Sequence, residues 1–186
     1  MRMRVWVAVV LFGLGTEVAM GQTPAQNQPQ PMPMGGMDMD HGTGKPSVPA
    51  GPLKITFGDK SAEWTPATLA ALPHKTITVF NEHAKVNETY SGVPLIDLLT
   101  RLGVPDKPHG KDLRLYLVAE GSDGYEAVYS VAEVNPDVHD ATVIVADTLE
   151  GKPLAGDGPL KLVATGEKRP ARWVRNLVAV QVLTAQ

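Results

Sequence analysis

Residues 53–186 predict an α+β domain built on a mixed β-sheet with short helices, and three features of the sequence carry that expectation. Short runs of period-two alternation recur along the stretch, one segment carries leucines at helical spacing, and Gly or Pro punctuates most junctions. Strands interleaved with short helices are the pattern of a sheet that helices cover.

A first strand is expected over 53–57, where Leu53, Ile55 and Phe57 alternate with Lys54 and Thr56, and Gly58-Asp59 turns the chain. Thr65-Pro66 supplies an N-cap and a proline at the first helical position for a short helix over 67–72, which Pro73 closes. Residues 75–80 read as a strand through Ile77 and Val79, with 85–90 as its partner. After Gly92-Val93-Pro94, Leu95, Leu98, Leu99 and Leu102 fall at i, i+3, i+4 and i+7, an apolar stripe that packs on a sheet, and Gly103 is placed to cap the helix. Residues 113–118 put Leu113, Leu115 and Leu117 on one strand face, Asp123-Gly124 turns into a strand over 125–129, and Ser130 with Glu133 forms a capping box. Strands over 142–146, 160–164 and 177–183 complete the inventory; the last is apolar on both faces except at Gln181, as a central strand covered from both sides would be.

Residues 1–21 read as a secretory signal peptide: Arg2 and Arg4 precede an apolar run, and Ala19 and Gly21 give an A-x-G cleavage spacing. A periplasmic or secreted protein follows. Residues 22–52, rich in Met, Pro and Gly, offer no apolar face to bury and are expected to be a disordered linker.

Composition narrows the chemistry. With no cysteine, the chain has no disulfide, thiolate metal site or cysteine nucleophile. A net charge of −3 gives no general attraction to nucleic acid. The sequence has no G-x-S-x-G elbow, no Walker or dinucleotide-binding glycine signature, and no H-E-x-x-H pair among His74, His83, His109 and His139. The linker is more suggestive. Met32, Met34, Met37 and Met39 lie beside His41, and no methionine occurs beyond them in the chain, so core packing does not account for the cluster. Thioether sulfur and imidazole suit Cu(I), and copper binding stands here against an inert low-complexity linker.

The order of motifs in the folded part resembles the oxidoreductase molybdopterin-binding domain, the sulfite-oxidase fold. The matching residues are Gly92-Val93-Pro94-Leu95-Ile96-Asp97-Leu98-Leu99, Ser122-Asp123-Gly124-Tyr125, Glu150-Gly151-Lys152-Pro153-Leu154, Gly158-Pro159-Leu160-Lys161-Leu162-Val163, and the stretch 168–174. The resemblance implies molybdopterin as cofactor and a cysteine thiolate on molybdenum, carried by the stretch before the Gly-Val-Pro-Leu segment. Here that stretch, 74–90, contains Asn81, Glu82 and His83 but no cysteine, so the chain looks like a small exported stand-alone version without the metal-ligating residue. The resemblance also points to Asn81, His83, Asp123 and Tyr125 as cleft-facing residues and to Lys168, Arg169 and Arg172 as the basic group near the pterin phosphate, with Trp173 packing. Each has a plainer reading, as a turn residue or a solvated charged strand edge.

The leading expectation is a non-catalytic module that binds an anionic small ligand or a periplasmic redox or membrane partner protein. The alternatives are a molybdopterin-dependent oxidoreductase with no cysteine ligand, and a periplasmic copper-binding protein acting through Met32, Met34, Met37, Met39 and His41. No nucleic-acid partner is expected.

Overall fold

The computed structural model describes residues 51–186. The expected signal peptide, nearly all of the linker and the methionine tract lie outside the described residues.

Among the described residues, ten strands and three short helices follow one another in the order β1 (Leu53–Phe57), β2 (Lys60–Trp64), α1 (Pro66–Ala70), β3 (Lys75–Asn81), β4 (Val86–Pro94), α2 (Leu95–Leu102), β5 (Leu115–Gly121), β6 (Glu126–Ser130), α3 (Val131–Val134), β7 (Val143–Leu149), β8 (Lys152–Pro153), β9 (Lys161–Ala164) and β10 (Leu177–Thr184). They make two five-stranded sheets. The first has the order β2-β1-β10-β5-β6; the second runs β3-β4-β7-β8, with β9 also pairing β7. Pairing is mixed only because β1 and β10 run parallel, with Ile55 opposite Val180; the other strand pairs are antiparallel. The domain is therefore mostly β-sheet with a few short helices, in keeping with the α+β expectation.

Local sequence explains the helices. Thr65 caps α1 through the Thr68 backbone N–H, with Pro66 at its first position. In α2 the leucine stripe is buried as expected, and Gly103 closes the helix at φ 99, a left-handed conformation glycine adopts without penalty. Ser130 and Glu133 cap α3 reciprocally.

Two expectations are corrected, and one strand was not anticipated. Residues 110–114 form a 3-10 turn, so Leu113 is exposed and the strand begins at Leu115, burying Leu115, Leu117, Ala119 and Gly121. Hydrogen-bonded alternation resumes only where β10 supplies a partner, with Thr184 opposite Leu115. Strand β10 is central by pairing yet buried on one face only: Leu177, Val180 and Val182 face the core, whereas Leu183 is exposed. Strand β2 was hidden in the sequence because its only apolar residues, Ala62 and Trp64, are half-buried at a sheet edge.

The main core lies between the first sheet, α2 and one face of the second sheet, which contributes Val93, Val143, Val145, Leu162 and Ala164. A smaller cluster on the opposite face of the second sheet joins Ile77, Tyr90, Ile144, Ala146 and Val163 beneath Trp173. Gly92 holds the second sheet together: a Cβ there would sit 2.2 Å from the Val145 carbonyl oxygen, and the β4–β7 register shifts at this point, between Ser91 and Gly92. The shift leaves Asp147 without a cross-strand partner on β4, and its Oδ2 meets His74 Nε2 at 2.8 Å.

Candidate functional site

Among the described residues strand β3 pairs only with β4, which leaves its outer edge without a partner strand. Opposite that edge runs the segment from Ala164 to Trp173, which Gly166 bends at φ 78 and which ends in a 3-10 turn, Pro170–Arg172. Between them lies a cleft of about 300 Å³ whose lining includes Thr78, Phe80 and Glu82 from the β3 side and Lys168, Arg169 and Trp173 from the loop.

The loop is braced from behind by two tyrosines. The Tyr125 hydroxyl donates to the Ala171 carbonyl and the Tyr129 hydroxyl to the Arg172 carbonyl, the latter at 2.6 Å. Arg172 stacks over the Tyr129 ring at 4.6 Å, donates to Glu133 Oε1 at 2.9 Å and to Glu167 Oε1 through Nε at 3.0 Å. Partial burial opposes the charge on Arg172, but the two carboxylates outweigh it and raise its pKa further. Burial likewise opposes ionisation of Glu133, yet the Ser130 backbone N–H and Arg172 hold its carboxyl below the usual range.

Among the expected residues, then, the structure brings Lys168 and Arg169 together on the cleft. Arg172 is engaged with its two carboxylates as a brace. Asn81 accepts from the backbone N–H groups of His83 and Ala84 and donates to Glu88, which fixes the β3–β4 turn and leaves His83 exposed on it. Asp123 accepts from the Tyr125 N–H in the β5–β6 turn. Of these turns only Glu82 reaches the lining of the cleft; Asn81, His83, Asp123 and Tyr125 lie outside it, against the expectation that they face it.

Among the described residues, neither Lys168 nor Arg169 makes an ion pair, whereas Glu82 pairs with Lys85 at 2.7 Å and Glu167 with Arg172. The Lys85 ammonium holds the Glu82 carboxyl below its usual range, and Arg169 adds a smaller contribution. The acids at the cleft are thus already neutralised, and the two remaining cations make the cleft an anion-attracting surface.

Sequence reasoning missed Phe80, Glu82 and the buried Lys161. Lys161 sits behind Trp173, donating to Asp157 Oδ2 at 2.6 Å and to the Tyr90 hydroxyl at 3.1 Å, with its ammonium 5.0 Å from the Tyr90 ring centroid and 5.3 Å from that of Trp173. Its place between Leu160 and Leu162 in a strand buried on both faces was the available signal, since a lysine there needs a buried partner. Burial, reinforced by Glu88, keeps the Tyr90 hydroxyl protonated.

The family model of the oxidoreductase molybdopterin binding domain matches residues 53–186, which span both sheets and the cleft. The chain belongs to that family. Among solved structures, the sulfane dehydrogenase SoxCD of Paracoccus pantotrophus shares the fold of this molybdopterin-binding-type domain, with a TM-score of 0.55 and 24% identity over 70% of this chain and 37% of that one. The small subunit of the DNA primase PriS of Thermoplasma volcanium is 33% identical over 82 residues, 44% of this chain. The chain spans 23% of the primase subunit's length and so shares a segment with it.

For a member of this family the fit of molybdopterin can be judged from the donors present. Lys168 and Arg169 suit the phosphate end of such a cofactor, as cations suited to an anionic oxygen. The metal end finds no counterpart: the chain has no thiol, and among the described residues no three His, Asp or Glu side chains are grouped to hold a metal ion. The donor set matches a pterin-type anion and does not match a thiolate-ligated molybdenum centre.

Proposed function

We propose that this chain is an exported, non-catalytic binding domain of the molybdopterin-binding oxidoreductase family, whose cleft takes an anionic ligand of the pterin-phosphate class. The observation that carries the reading is the pairing of Lys168 and Arg169 beside Trp173 on a loop braced by Tyr125, Tyr129 and Arg172, in a chain without cysteine. The braced loop presents both cations without first having to be ordered, which favours binding. Oxygen-atom transfer is not assigned, because the thiolate that would complete the metal's ligand set is missing.

Isothermal titration of the full chain with a pterin monophosphate tests this. Saturable binding that weakens about tenfold or more in Lys168→Ala and Arg169→Ala is expected, the scale of losing one charge-assisted hydrogen bond. Absence of binding, or binding indifferent to both substitutions, rejects it.

A second reading rests on a separate observation, the clustering of Met32, Met34, Met37 and Met39 next to His41. We infer that this tract binds Cu(I) through thioether and imidazole donors, independently of the cleft. Competition with a chromogenic Cu(I) chelator checks it: deletion of residues 32–41 abolishes the high-affinity binding, and unchanged affinity after deletion defeats the reading.

A further inference from the structure

The cleft has two walls that are remote in sequence, the C-terminal end of β3 and the loop that ends in Trp173. Behind them runs a continuous polar chain. The Asn81 side-chain amide donates to Glu88 Oε1 at 2.6 Å, the Tyr90 hydroxyl donates to Glu88 Oε2 at 2.8 Å, and Lys161 Nζ donates to the Tyr90 hydroxyl at 3.1 Å. The lysine then reaches the Trp173 ring, which itself stands edge-on to Tyr90 with the centroids 5.9 Å apart, and whose indole N–H is held by the Ala164 carbonyl at 3.0 Å.

Each link has a single direction. The hydroxyl of Tyr90 has one proton, and it goes to Glu88; its oxygen is therefore the acceptor that Lys161 needs. Lys161 is 7% exposed, and a buried ammonium is tolerated only with partners in good geometry. Asp157 and Tyr90 supply the partners, and the cation is thereby fixed between two aromatic rings.

The geometry points to Lys161 as a positioning residue for the cleft: it holds Trp173 against Tyr90 and, through Tyr90, Glu88 and Asn81, ties that wall to the end of β3, so that the two walls keep one spacing. This rests on the cleft being a ligand site. A ring seated against Trp173 feels the spacing, whereas a small anion held by Lys168 and Arg169 does not. Loosening the tie therefore separates the two kinds of ligand.

The test uses the full chain labelled with 5-fluorotryptophan, with the Trp173 resonance assigned by Trp173→Phe and Trp64→Phe. Glu88→Gln keeps one acceptor oxygen and so breaks one link of the chain while leaving Lys161 paired with Asp157. It is expected to shift or broaden the Trp173 fluorine resonance, and Lys161→Met to do so more strongly where that variant folds. Lys111→Ala, outside the chain, leaves the resonance in place. A Trp173 resonance unmoved by Glu88→Gln overturns the tie.

Titration of the same variant with a pterin monophosphate and with inorganic phosphate supplies the second readout. The pterin probe weakens roughly threefold or more, the scale of coupling between residues in one network, while inorganic phosphate keeps its affinity. Equal weakening of both probes overturns the positioning role. If the unsubstituted chain binds neither probe, the ligand reading fails, and the resonance still decides whether the walls are tied.

Discussion

On one face of the second sheet, Val93, Val143, Val145, Leu162 and Ala164 meet the first sheet and α2 in a continuous apolar core. On the other face the apolar residues Ile77, Tyr90, Ile144, Ala146 and Val163 share their space with a buried lysine, a glutamate and a tyrosine hydroxyl linked by directional bonds. Both faces bury apolar side chains, but only the second depends on angles as well as on volume. A region stabilised by burial tolerates reshaping of about one methylene's worth at modest cost. One stabilised by a hydrogen-bonded network fails when a single partner is removed. The cleft lies against the second kind of region, where side-chain positions are most narrowly specified.

Substitutions can break or sharpen that contrast. The largest effect is expected for Gly92→Ala, because the added Cβ meets backbone atoms of Val145 and Ala146 that cannot move aside. The variant should lose about 3 kcal/mol or more, or not fold, as read by urea denaturation. Leu98→Ala, fully buried in the apolar core, should cost about 3 kcal/mol through lost burial and a residual cavity, and the Trp173 fluorine resonance should stay where it is. Ser130→Ala removes the cap of α3 and should cost about 1 kcal/mol in the same denaturation assay.

His74→Gln has an effect that depends on pH. The Asp147 hydrogen bond, opposed by partial burial, raises the His74 pKa above the ordinary value for histidine, about 6.5. The group thus binds its proton more tightly when folded. Its stabilisation is fully present below about pH 6.5 and is lost as pH rises through the folded pKa. The variant should show a flatter pH dependence across that window, with the difference from the parent chain largest at the acidic end. Lys168→Ala and Arg169→Ala should change stability least, within about 0.5 kcal/mol, because neither makes an ion pair among the described residues. A larger loss would mean that these cations serve the fold.

Much of the fold was legible because it rests on burial, which leaves a period in the sequence. The leucine stripe of α2, the capping residues Thr65 and Ser130, and the alternation in β1 and β3 all correspond to elements at nearly the expected bounds. Leu113 misled because alternation alone does not show where a partner strand begins, and β2 left no signal because an edge strand needs few apolar residues. The site was less legible. Lys168 and Arg169 stood out as charges beside the last strand, but nothing local distinguished them from Arg172, which Glu133 and Glu167 engage from separate elements. The polar chain behind Trp173 draws on residues 81, 88, 90 and 161, and only the strand pairing brings them together.

On the function proposed above, the cleft binds the anionic end of a pterin-type ligand and holds no molybdenum centre. Elemental analysis of the chain purified from a host that makes molybdopterin tests it most directly. Molybdenum far below one atom per chain is expected; stoichiometric molybdenum that survives gel filtration would contradict the proposed function.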